Sequence, residues 1–72
     1  MEKLQEVKDG MLSDTMSAAI VNLAVVGQAS SPGAVAEDYG QRAIDAAPEE
    51  GTGQLVQRAC DFIIEDFGWI KK

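Results

Sequence analysis

The stretch LQEVKDGMLSDTMSAAIVNLAVVG, residues 4–27, carries two apolar seams on one run of chain. The first is Leu4, Val7, Met11, Asp14, Ala18, Val21 and Val25, stepping by three and four with a single polar break. The second is Leu12, Met16, Ala19, Leu23 and Val26, with Ile20 and Gly27 beside it. Steps of three and four keep side chains on one face of an α-helix. A surface helix needs only one such face. Two faces call for cover on both sides, by the chain itself and by another copy.

The expected fold is all-α. Three main helices run over about 2–26, 32–47 and 53–67, in a single domain spanning 1–72. The β-branched run Ile20, Val21, Val25, Val26 also suits a strand, but the spacing favours the helix. An unbroken first helix of 24 residues would be ~36 Å long. A compact chain of this length has a radius of gyration near ~11 Å. So either the helix breaks near Gly10, with Asp9 or Ser13 capping a new start, or a second molecule covers the excess. Homodimerisation through the first seam is the expectation, with Leu4, Val7, Met11, Ala18, Val21 and Val25 at the interface.

The other helices show their punctuation. Ser31-Pro32 reads as a cap followed by proline at the first helical position, where the missing N–H is not needed. Pro48 stops that helix. Small residues four apart (Ala36, Gly40, with Ala43 and Ala47 alongside) allow close helix packing within the domain. Thr52 reads as the cap of the last helix. Val56, Cys60, Ile63 and Phe67 form its stripe, and Ile64 falls off it. A left-handed Gly68 would bring Ile64 against Trp69.

Composition narrows the function. Seventy-two residues make one small domain of marginal stability. One cysteine and no histidine leave neither an internal disulfide nor a usual zinc set, so oligomerisation is the compensating device that remains. Six basic against twelve acidic residues, a net charge of −6, argue against direct nucleic-acid binding and against docking on anionic lipid. The first residues do not read as a signal peptide. The apolar run 18–26 is far shorter than the ~20 residues of a membrane span. The lone thiol fits a reducing, cytoplasmic setting.

No residue set specifies a reaction, and no cofactor or metal is expected. Asp61 and Glu65, four apart, read as a solvated acidic face, because paired acid–base carboxylates need a pocket that separates them. Cys60 lies on an apolar stripe beside Asp61 and reads as a core thiol. Glu49-Glu50-Gly51-Thr52-Gly53 lacks the alternating ligands of a calcium loop and the lysine of a phosphate loop. Asp66-Phe67-Gly68 and Ala47-Pro48-Glu49 match protein-kinase fragments, but in reversed order and in far too short a chain. Asp14-Thr15-Met16 stands nearest to an acyl-carrier serine motif but has no serine in place. A small carrier protein is therefore the most distant alternative.

What remains is recognition of protein. The expected function is a non-enzymatic acidic interaction module, with Glu49, Glu50, Asp61, Glu65, Asp66 and Trp69 as the partner-binding set. Its target would present a basic surface. If that surface normally binds nucleic acid, the chain would inhibit by occupying it. Small acidic proteins of this sort are common among phage and plasmid anti-defence factors, a likeness of composition only. The alternative is a homo-oligomeric structural or regulatory subunit.

Overall fold

The structure, a computed structural model, describes residues 2–28 and 30–68. Among them are four helices and no strand: α1 Glu2–Ser13, α2 Thr15–Gln28, α3 Pro32–Ala46 and α4 Thr52–Phe67. The expected all-α class holds, and the count differs by one because the first segment is two helices. The break is at Asp14, not Gly10, and α1 and α2 meet at 90°. Asp14 ends one helix and starts the next. Its N–H donates to the Gly10 carbonyl at 3.0 Å, and its own carbonyl accepts from Ala18 N at 2.8 Å. Its side-chain Oδ1 accepts from the N–H groups of Met16 (3.0 Å) and Ser17 (3.1 Å). Those are orphan donors of a helix start, which is what a capping aspartate satisfies. The polar break in the first seam is thus the corner of the fold.

The corner removes the length problem. Folded at a right angle, the two helices fit a body measuring 29 × 22 × 19 Å with a radius of gyration of 10.9 Å. α1 then packs against α2, α3 and α4 alike. The seam expected to face a second copy is instead the core of this one. Val7, Met11 and Val21 are fully buried within the single chain. Leu4 and Val25 are half-buried against the same core, and Ala18 is partly covered. These six have little or no surface to offer a partner, so the association expected through them is replaced by intramolecular packing. Leu55, Ala59 and Ile63 of α4 and Ala36 and Ala43 of α3 complete the interior.

Missing side chains set the helix spacing. A Cβ on Gly10 would lie 2.8 Å from Val56 Cγ2, closer than packed atoms sit. A Cβ on Gly40 would lie 3.3 Å from Val7 Cγ1 and 3.4 Å from Leu4 Cδ1. Gly10 therefore marks where α4 crosses α1, and Gly40 where α3 does. The small-residue row of α3 is used within the domain, as its spacing suggests.

The helix ends follow the sequence with one exchange. Ser31 Oγ accepts from Ala34 N at 3.1 Å and Pro32 opens α3. The N-cap of α4 is Gly51, not Thr52, and it makes no side-chain bond. Thr52 is the first helical residue, and its hydroxyl donates to Glu6 Oε1 at 2.9 Å, tying α4 to α1. Gly68 is left-handed, with φ 72°, and its N–H donates to the Ile64 carbonyl at 2.6 Å. That bond is the simple left-handed ending. The expected contact of Ile64 with Trp69 lies outside the described residues.

Candidate interaction surfaces

The six residues expected to meet a partner do not form one set. Glu50 is committed to its own chain: Oε1 accepts from Arg58 Nε at 3.2 Å and Oε2 from Arg58 Nη2 at 3.0 Å. Asp66 is likewise engaged. Its Oδ2 accepts from the Tyr39 hydroxyl at 2.6 Å and from Arg42 Nη1 at 2.7 Å. The Arg42 guanidinium lies over the rings of Phe62 and Tyr39, 4.5 and 5.1 Å from their centroids, an arrangement that favours a cation. This cluster ties α3 to the end of α4. Glu49, Asp61 and Glu65 are exposed, and Asp61 accepts from Gln57 Nε2 at 3.1 Å. Trp69 lies outside the described residues.

The cluster shifts its own titrations. The Tyr39 hydroxyl, then the Arg42 guanidinium, holds the Asp66 carboxyl below the usual carboxylate range. Burial, then the bond to Asp66, pushes the Tyr39 hydroxyl up to about 12. Such a phenol keeps its proton across the physiological range. Cys60 is buried, with Sγ 3.1 Å from Ser17 Oγ. Burial pushes its thiol up, and the charges of Asp14 and Asp61 push the same way. A nucleophilic cysteine needs the opposite environment.

Charge is unevenly spent. All four basic side chains among the described residues face acceptors of their own chain. Lys3 donates to the Pro48 carbonyl, Lys8 pairs with Glu37 at 3.9 Å, and Arg42 and Arg58 take Asp66 and Glu50. Three of the chain's twelve carboxylates enter those ion pairs, and the other nine enter none among the described residues. The outward field is therefore acidic.

The second surface is apolar. The inward face of α2 is Ser17, Ile20, Val21 and Ala24. Its outward face is most of the second seam: Met16 is 72% exposed, Leu23 45% and Val26 83%, with Ala19 exposed between them and Leu12 (40%) at the end of α1. An open groove beside it is lined by Thr15, Met16, Ala19, Ile20 and Ile64. This gives Ile64, which lies off the stripe of α4, its place. Spacing alone does not rank the two seams. The usable signal is Asp14, since a capping residue inside the first seam rotates the rest of α2 relative to α1.

No single helix among the described residues is long and apolar enough to cross a membrane. No protein-family model matches the chain, nor does any curated protein or solved structure.

Proposed function

We propose that this chain is a non-enzymatic interaction module whose acidic surface takes up a basic surface of another protein. The observation that supports this reading is the disposal of charge. Each described cation is turned to its own chain, so the carboxylates left over, Glu49, Asp61 and Glu65 among them, form no ion pair among the described residues. Complementary fields steer association and select partners. Where the target's basic surface is one that holds nucleic acid, the module inhibits by standing where phosphates would lie. The buried, unpaired thiol suits a reducing, cytoplasmic setting.

The test is capture from a cell lysate, with the target then purified and titrated at two ionic strengths. The Debye length falls from ~10 Å at 0.1 M to ~3 Å at 1 M salt, so binding should weaken steeply. It should weaken again in the triple variant Glu49→Gln, Asp61→Asn, Glu65→Gln. A partner held equally at both salts and by both chains overturns the reading.

A second reading, a homo-oligomeric structural or regulatory subunit, is favoured by the exposed apolar face of α2.

A further inference from the structure

We infer that the outward face of α2 is closed by the same face of a second copy, the two helices running antiparallel about a two-fold axis that crosses α2 at the level of position 21, on the side opposite the buried Val21. The inference rests on the self-association reading and is independent of the acidic-target one. Three observations carry it.

The first is charge. In a chain of net −6, the 14 residues of α2 contain no ionisable side chain. A basic partner would find nothing on this face to pair with. An acidic copy of the same chain meets no like charge there. A lipid surface is disfavoured as well, because helices that lie on membranes carry lysine and arginine beside their apolar face.

The second is spacing. Met16, Ala19, Leu23 and Val26 step by three, four and three, the seam of paired helices. The series is symmetric about position 21. An antiparallel pair therefore sets Met16 against the partner's Val26 and Ala19 against the partner's Leu23, small against large. A parallel pair would set Ala19 on the partner's Ala19 and leave a void.

The third is the corner. Asp14 is exposed at the start of α2. In the antiparallel pair the two Asp14 residues lie ~21 Å apart along the axis, beyond the ~10 Å Debye length at 0.1 M salt. In a parallel pair they would sit side by side. Such a face, ~21 Å long, is smaller than the ~800 Å² per partner of a standard interface, so the dimer should be weak and concentration-dependent.

The experiment is sedimentation of the full chain from micromolar to several hundred micromolar, followed by oxidative cross-linking. The wild-type chain should pass from monomer to dimer. Leu23→Glu and Val26→Glu should each raise the dissociation constant at least tenfold, with helical circular dichroism unchanged because both positions are exposed. An equimolar mixture of Ala19→Cys and Leu23→Cys chains should cross-link. Val26→Cys alone should not, because its two thiols lie ~15 Å apart along the axis and a disulfide needs Cα atoms within ~7 Å. A wild-type chain that stays monomeric throughout overturns self-association itself, including one that co-sediments with phosphatidylcholine vesicles. A dimer indifferent to both glutamates, or one in which Val26→Cys links to itself, leaves self-association standing and overturns this geometry.

Discussion

Gly10 is the residue on which the fold leans hardest. Glycine inside a helix costs ~1 kcal/mol relative to alanine, and here the cost admits Val56 at a distance no Cβ would tolerate. Gly10→Ala should therefore lower stability despite its better helix propensity. Val56→Ala made in the same chain should recover most of that loss, a coupling that urea titration of the four-member cycle would measure. Gly53, with open space where a Cβ would go, should accept alanine with a gain of up to ~1 kcal/mol. Leu55→Ala removes a fully buried side chain and should cost ~2–5 kcal/mol, whereas Leu23→Ala on the outward face should cost less than ~1 kcal/mol in the monomer. Equal losses would mean that the two faces of α2 are misassigned. Tyr39, the chain's single tyrosine, offers a clean optical titration. Its ionisation should fall near 12 rather than the ordinary ~10, and Asp66→Asn should bring it down. Because the folded phenol holds its proton more tightly than the unfolded one, this group's contribution to stability is complete below ~pH 10 and disappears as pH climbs toward 12.

At the scale of the element, the carboxylate of Asp14 caps the corner that makes four helices of the expected three. Asp14→Ala removes the acceptor for two backbone donors and should destabilise the chain by ~0.5–2 kcal/mol, with asparagine, which can still accept, costing less. Thermal melts of the two variants would show the order. α3 and α4 were readable because their punctuation is local: Ser31-Pro32 at one start, Pro48 as a stop, Gly68 at the last end. The corner at Asp14 was less readable. An aspartate at that position is compatible with a continuing helix, and only the later return of the chain, bringing Val56 onto α1, makes the bend worthwhile. The same non-local fact hid which seam faces inward. Both are apolar at helical spacing, and the choice belongs to α3 and α4, whose helices fill the space beside Val7, Met11 and Val21. Of the expected partner-binding residues, Glu50 and Asp66 could not be separated from Glu49, Asp61 and Glu65 by sequence. What distinguishes them is whether an arginine on another turn or helix reaches them.

At the scale of the whole molecule the net charge acts against compactness. With nine carboxylates outside any described ion pair, self-repulsion extends across the body when the Debye length is ~30 Å, at 0.01 M salt, since its longest dimension is 29 Å. Adding salt to ~0.5 M should therefore raise the melting temperature, a sign opposite to that of a protein held by surface ion pairs. Asp66 works the other way in acid. Its folded carboxyl ionises below its unfolded value, so its contribution is present above ~pH 4 and fades as pH drops through the depressed folded value. Asp66→Asn should flatten that part of the acid unfolding curve. The position of α1 adds a constraint of a different kind, one of timing. When α1 leaves the ribosome, two of its three neighbours, α3 and α4, are still to be synthesised. Until Val56 emerges, the notch at Gly10 has nothing to receive, and Val7 and Met11 stand uncovered. α1 thus stays without most of its cover until α4 has left the ribosome, and the shared core closes only then.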